Sequence, residues 1–351
     1  MQFPSNRDIW HNLCFCYENM QKLIISLLVI FSTVILLTLV ITGSALAVVA
    51  GDCNACHTVY PAMTEKTFRA KPFEYVSREM FCVKCHSSNT SDTITELGGN
   101  RVPIVFNNAK PGKPLAGGDF YYVAFLGERK GHNVNGVASR DMEFTGFPPA
   151  YSRSSDPSSV GYNPQKPLAC AGSNGCHGNR NIEDPFEAVF GSHHAVNTPL
   201  DGSTTARSYR FLRNSDAVKG VIGLEDDEWN QNATPRKHNE YTSSIDVLCR
   251  SCHGSLESGH AGRQFNHLVG VPLPARGEYM KYKIYDLDAP VARETVPQSS
   301  SDIISPGKDL LTCLSCHVAH ASPYDSELRW DYDNIFTEGE RSGCLICHTG
   351  K

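Results

Sequence analysis

Twelve cysteines fall into six pairs, and each pair closes on the dipeptide Cys-His. Five pairs have the spacing C-x-x-C-H: Cys53, Cys56 and His57; Cys82, Cys85 and His86; Cys249, Cys252 and His253; Cys313, Cys316 and His317; Cys344, Cys347 and His348. The sixth is stretched to C-x5-C-H, with Cys170, Cys176 and His177 around an Ala-Gly-Ser-Asn-Gly loop. C-x-x-C-H is the attachment pattern of c-type haem. Two thiols at this spacing reach the two vinyl groups on one porphyrin edge, and the next His lies under the iron as its proximal ligand. Paired cysteines also build zinc ribbons, but zinc does not call for a His after the second cysteine of every pair. Disulfides across C-x-x-C leave that His equally unexplained. For the stretched unit two readings stand, a sixth haem or a Cys170–Cys176 disulfide beside an unrelated His177; the haem leaves no orphan cysteine. The expected cofactor is haem c, five by motif and a sixth at Cys170, Cys176 and His177.

Six low-spin irons need six further ligands. Beyond residue 47 seven other histidines remain: His132, His193, His194, His238, His260, His267 and His320. His320, in the run CHVAH, points towards a neighbouring haem. His193 and His194 are adjacent; in an extended chain they would face opposite sides and serve two irons. His132 and His267 have apolar neighbours suited to covering a haem face. His238 and His260 flank the fourth motif. One of the seven is spare, or serves a second subunit. Methionine thioethers are the alternative ligand, but Met63, Met80, Met142 and Met280 are expected to pack.

The elements that carry these residues are expected to be short. Residues 23–43 form an uncharged apolar run, preceded by Lys22 and followed by Ala45-Leu46-Ala47. That is the build of a signal peptide with its A-x-A cleavage site; the run is also long enough to anchor the chain in a bilayer. Residues 1–19, with Cys14 and Cys16, read as an upstream extension. The expected division is therefore 1–47, extension and signal peptide or anchor, and 48–351, an exported hexahaem domain. Export permits covalent haem attachment. A net charge of −5 without a Lys/Arg run gives no footprint for nucleic acid.

The exported part has about 50 residues per haem, too few for a large apolar core. The haems themselves are expected to be the core, with low regular secondary structure, short helices and few short strands wrapped around them. Stretches 98–118, 145–167, 196–206 and 290–307 are rich in Pro, Gly, Ser and Asn and read as loops. Strands are expected at Phe120–Phe125 and Tyr279–Tyr285. Helices are expected at Asp184–Phe190, where Asp184-Pro185 has the form of a cap and first residue, and at Ser244–Cys252. The motif intervals are shortest at the two ends, which points to close haem pairs there.

With these motifs the chain resembles multihaem c-type cytochromes of metal- and sulfate-respiring microbes. The resemblance is strongest from Cys313 to His348, with His320, Trp330 and Tyr332, and extends to Leu115–Val123 and Gly131–Val134. These segments are similar to extracellular cytochromes that polymerise into conducting filaments, from whose common four-haem form the C-x5-C-H unit and the six motifs depart. The resemblance implies bis-His haems in a continuous chain, alternately stacked and T-shaped, with one distal His donated across a subunit interface.

The expected function is electron transfer between exported or membrane redox partners and an extracellular acceptor, such as a metal or mineral, with self-assembly into a filament as one form. The location expected is extracellular or cell surface, with periplasmic or membrane-anchored as alternatives. The competing reading is a reductase of a nitrogen or sulfur oxyanion. It needs one open haem, for which the stretched unit with Arg180, His193 and His194 is the candidate. A purely structural role leaves the redox groups without purpose.

Overall fold

Glycine, proline and small polar residues interrupt every apolar run, so regular structure comes in pieces of two to ten residues. The computed structural model describes residues 23–27, 56, 82–140, 148, 162–194, 199–216, 218–254, 269–335 and 343–350. The chain divides into two units, Met1–Leu46 and Ala47–Lys351. In the first, residues 23–27 are helical and expose Leu23, Ile24, Ile25 and Leu27. Among the described residues no helix is long and apolar enough to cross a membrane. The rest of the expected leader, and the sites Cys53, His57, His260 and His267, lie outside the described residues.

In the second unit, helix α1 (Val83–His86) runs directly into β1 (Ser87–Ser88). A hairpin of β2 (Ile94–Leu97) and β3 (Asn100–Pro103) follows, and β4 (Phe106–Asn107) pairs in parallel with β1. After helix α2 (Tyr121–Leu126), β5 (Ala169–Ala171) and β6 (Gly175–Asn179) pair in parallel, enclosing the loop of the stretched motif. Helix α3 (Pro185–Ala188) comes next, and β7 (Leu212–Arg213) then joins β6. Two-stranded pairs β8 (Gly223–Leu224) with β9 (Glu240–Tyr241), and β10 (Val271–Pro272) with β11 (Leu310–Leu311), enclose helix α4 (Ser244–His253) in the sequence.

Two of the helices are where local chemistry puts them. The Asp184 carboxylate accepts from the Phe186 and Glu187 N–H groups at 2.9 and 3.1 Å, and Pro185 fills the first position. Helix α4 spans the expected Ser244–Cys252 and ends at Gly254. The two expected strands are absent. Residues 121–126 are helical, because the chain buries Phe120, Tyr122 and Val123 together and leaves Phe125 and Leu126 outside. A strand would alternate; tertiary burial overrides aromatic β-propensity here. Tyr279–Tyr285 begins in a 3-10 turn, Gly277–Lys281, and then closes on itself: the Tyr282 hydroxyl donates to Ala289 O at 2.7 Å and accepts from Asp286 N–H at 3.1 Å. The 98–118 stretch is not all loop, since it holds β3 and β4.

The core is divided. Tyr209, Leu212, Val221, Tyr241, Ile245, Leu248 and Ala292 form one cluster, and Leu273, Tyr282, Tyr285, Ala289, Val291, Ile304 and Ile346 another. Phe120, Tyr122, Val123, Val134 and Ala321 form the third. Each has a motif cysteine packed against it, namely Cys249, Cys347 and Cys170.

Candidate haem-attachment sites

The motif cysteines from Cys82 on sit on or next to helices, strands and 3-10 turns of three to ten residues. Cys85 and His86 lie on α1, Cys249, Cys252 and His253 on α4, and Cys176 and His177 on β6. Cys313 opens the 3-10 turn Cys313–Ser315, and Cys344 lies in the turn Gly343–Ile346. A tight turn brings two cysteines and the following His to one side; His317 N–H bonds Cys313 O at 3.0 Å and His348 N–H bonds Cys344 O at 2.8 Å. No disulfide joins the described motif cysteines, Cys170 and Cys176 included.

Three imidazole pairs stand out. His86 and His193 have ring centres 6.3 Å apart, His177 and His320 6.3 Å, and His132 and His253 6.0 Å. Each pair joins one motif His to one His from outside the motifs. With metal–nitrogen bonds of about 2.0 Å and ring centres about 1.1 Å behind the nitrogen, two imidazoles on opposite sides of one ion lie about 6.2 Å apart. The spacing fits an iron between them.

The ring nitrogens agree. His86 Nδ1 lies 2.8 Å from Pro103 O, His177 Nδ1 2.8 Å from Arg210 O, and His317 Nδ1 2.7 Å from Ser326 O. A carbonyl oxygen only accepts, so Nδ1 carries the proton and Nε2 keeps its lone pair. His132 does the same towards Ala319 O at 3.0 Å. His348 differs: its Nδ1 lies 2.9 Å from the carboxylate oxygen Glu278 Oε1. Burial pushes the His320 imidazole down to about 3, which keeps it in the neutral form that ligates.

Two of these carbonyls belong to strained backbone. Arg210 and Phe211 have φ of 54° and 58°, and Ser326 and Glu327 58° and 52°. Consecutive left-handed residues without glycine cost roughly 1–2 kcal/mol each. Such conformations concentrate where geometry is held for function; here each turns a main-chain oxygen onto a motif imidazole.

His132 and His320 are set by one junction. His132 N–H bonds His320 O at 2.9 Å and His320 N–H bonds Gly117 O at 2.7 Å. Gly118 and Gly131 both pair with Ala321, and a Cβ on either would collide with it. Phe120 stacks on the His320 ring at 4.7 Å.

The thiols link successive motifs. The Cys82 thiol lies beside that of Cys170, and that of Cys249 beside that of Cys313. Cys85 lies in the field of Cys56, Cys176 in that of Cys252, and Cys316 in that of Cys344. Each motif thus borders the next in sequence order. Two of these contacts span the long intervals, so motifs approach one another in the middle of the chain as well as at the two ends that the spacing singled out. Cys170 and Cys176 face different neighbours, as the two cysteines of the regular motifs do.

His238 and the adjacent pair His193 and His194 stand in settings the sequence did not foresee. His238 is fully buried, its ring stacked on Tyr285 at 3.5 Å. Its Nδ1 faces Thr234 O at 3.3 Å, and its Nε2 stands 3.3 Å from Glu240 Oε1 but makes no hydrogen bond among the described residues. His193 and His194 lie in a 3-10 turn, Ser192–His194, not in an extended segment.

Glu278 and Asp246 were not legible near the motifs, and Arg180 was legible only as a substrate group of the reductase reading. Arg180 is almost completely buried, donating to Asn214 Oδ1 at 3.0 Å, to Ser251 Oγ, and towards Cys252 Sγ at 3.6 Å. Among the described residues no carboxylate pairs with it. A buried guanidinium between the third and fourth motifs suits the propionates of haem. Asp246, on α4, accepts from Thr312 Oγ1 at 2.7 Å and Cys313 N–H at 2.8 Å, joining the fourth motif to the fifth. Among the described residues no three His, Cys, Asp or Glu gather as a metal-ion site; the imidazoles meet in twos, whereas structural zinc takes four converging ligands.

No family model matches the chain, and no curated protein matches it. Among solved structures it is similar to the Outer Membrane Cytochrome S filament from Geobacter sulfurreducens, at 17% identity and a TM-score of 0.45, covering 82% of this chain and 85% of that one. It is also similar to the OmcS nanowires of the same organism, at 16% identity and a TM-score of 0.44, covering 80% and 84%.

Proposed function

We propose that the chain is an exported electron-transfer protein holding six c-type haems, each between two imidazoles. The observation that carries this reading is the spacing of His86–His193, His177–His320 and His253–His132 at 6.0–6.3 Å. Cysteines of the six motifs would hold the porphyrins, and His57, His86, His177, His253, His317 and His348 the proximal positions. His132, His193 and His320 take the distal positions of three sites. His194, His238, His260 and His267 remain for the other three, one more than is needed, and His238 is the proposed spare because Thr234 O and Glu240 Oε1 stand 3.3 Å from its two nitrogens. Bound there, haem supplies one-electron exchange, and six in succession carry electrons between redox partners and an outside acceptor.

The residues of this chain fix the imidazoles, shield them and hold Nδ1 protonated. The reductase reading is disfavoured at its own candidate site: His177 already faces His320, and Arg180 is buried and engaged by Asn214 and Ser251. The leader at 1–47, export and filament assembly are part of the proposal. They rest on the apolar run with its A-x-A site and on the resemblance of 313–348, 115–123 and 131–134.

The test is an intact mass of the mature protein together with a pyridine haemochrome count and a low-temperature EPR spectrum. Six haems, all low-spin, on a chain starting near Val48 is the expected result. Five haems would remove the stretched site, and a high-spin signal would restore the reductase.

A further inference from the structure

We propose that Glu278 is a positioning residue that lowers the reduction potential of the haem at His348, relative to those at His86, His177 and His317. This rests on the haem-binding reading above. The difference is in the acceptor of the motif imidazole. Three motif histidines donate Nδ1–H to neutral main-chain oxygens, of Pro103, Arg210 and Ser326. His348 alone among these four donates to a carboxylate, Glu278 Oε1, at 2.9 Å. His132 has a carboxylate nearby as well, but Glu327 Oε1 stands 3.7 Å away and Ala319 O takes the hydrogen bond.

Glu278 is held for this task from several directions. It lies on the 3-10 turn Gly277–Lys281. Its second oxygen, Oε2, accepts Gly350 N–H at 2.8 Å, and its main-chain oxygen accepts Thr349 Oγ1 at 3.3 Å. The residues just after the motif therefore fold back and clamp the carboxylate. The neighbouring Tyr279 ring meets His348 edge-on at 5.3 Å. Both side chains of the pair are about four-fifths buried, with 20% and 23% exposure, so the negative charge is only partly screened by water.

A carboxylate on Nδ1–H draws the proton away from the ring and makes Nε2 a stronger donor. A stronger donor favours the ferric over the ferrous state, and second-shell hydrogen bonding is one of the protein's levers on haem potential. The last haem of the sequence is then the hardest to reduce of these four.

The experiment is a spectroelectrochemical titration of the mature holoprotein, wild type against Glu278→Gln and Glu278→Asp. Gln keeps the oxygen acceptor and removes the charge. The expected result is that about one sixth of the haem amplitude moves to higher potential in E278Q, by at least tenfold in the oxidised-to-reduced ratio, 59 mV for one electron. E278D, which keeps the charge, retains a low component. A full complement of haem with an unshifted E278Q curve overturns the proposal. If E278Q does not mature, the wild-type curve decides: one sixth of the amplitude lying at least tenfold below the rest supports it, and absence of that component overturns it. A wild-type protein without haem would instead sink the haem-binding reading itself.

Discussion

Histidine at a given position is a ligand or a packing residue according to what faces its two nitrogens. His193 and His238 have the same chemistry and opposite surroundings. The His193 ring faces His86 and meets Phe211 edge-on at 5.3 Å, with no oxygen bonded to a ring nitrogen among the described residues. His238 has oxygens 3.3 Å from both nitrogens and a tyrosine on its face. We expect His193→Ala to convert one haem of six to high spin, visible by EPR, with the other five unchanged. His238→Gln should leave the haem spectrum as it is and cost about 1–3 kcal/mol of stability through the disturbed buried contacts. A high-spin signal in H238Q would reverse the assignment of the two residues.

At the scale of elements, the fold uses turns where larger proteins use helices and sheets. The left-handed pairs at Arg210–Phe211 and Ser326–Glu327 are the sharpest of these. Each presents its first carbonyl to a motif His. Glycine adopts this backbone without penalty, so Ser326→Gly is expected to be neutral or stabilising by up to about 1 kcal/mol. Proline cannot adopt it, because its ring holds φ near −65°. Ser326→Pro should remove the oxygen from His317 and lower the yield of fully loaded protein, measured as haem per chain. Equal haem content in the two variants would mean that the turn does not orient His317.

For the whole molecule, stability divides between small apolar clusters, one buried ionic network and the haems. Arg293 reaches Glu240 at 2.7 and 3.2 Å and Asp309 at 2.9 Å, and Glu240 also accepts Ser301 N–H at 2.9 Å. Burial pushes the Glu240 carboxyl up, but the His238 imidazole and the hydrogen bonds from Arg293 outweigh it and hold the group below its ordinary 4.5. A depressed carboxyl stabilises the fold above its unfolded pKa, and that stability is lost as pH falls through the folded value. Denaturant unfolding should therefore weaken below about pH 4.5 in the wild type. Glu240→Gln should lose about 1–3 kcal/mol at pH 7, because Arg293 keeps Asp309 but loses its charged hydrogen bonds to Glu240, and should show a flatter acid limb. The three apolar clusters are each too small to fold the chain alone. Produced without haem attachment, residues 48–351 are expected to give the circular dichroism of an unfolded chain, since cofactor binding supplies folding free energy. A cooperative thermal transition in that apo-protein would contradict this.

The attachment motifs are local signals, because covalent haem binding demands Cys and His at fixed local spacing and a tight turn suffices to align them. The N-cap at Asp184 and the helix at Ser244–His253 were legible for the same reason: their signals lie within a few residues. Helix α2 was not, because its aromatic run favours a strand locally and only burial against Ala321 and Val134 decides otherwise. The imidazole pairs were not legible either. His132 and His253 lie 121 positions apart and His177 and His320 143, and which imidazole meets which is set by glycines that let Gly118 and Gly131 close on Ala321. Sequence supplied seven candidate histidines with only their neighbours in the chain to rank them; the tertiary structure gives His238 different surroundings, with a carbonyl and a carboxylate oxygen 3.3 Å from its two nitrogens. Glu278 follows the same rule, since its carboxylate meets an imidazole nitrogen only because distant parts of the chain, here residues 278 and 348, are brought within 2.9 Å.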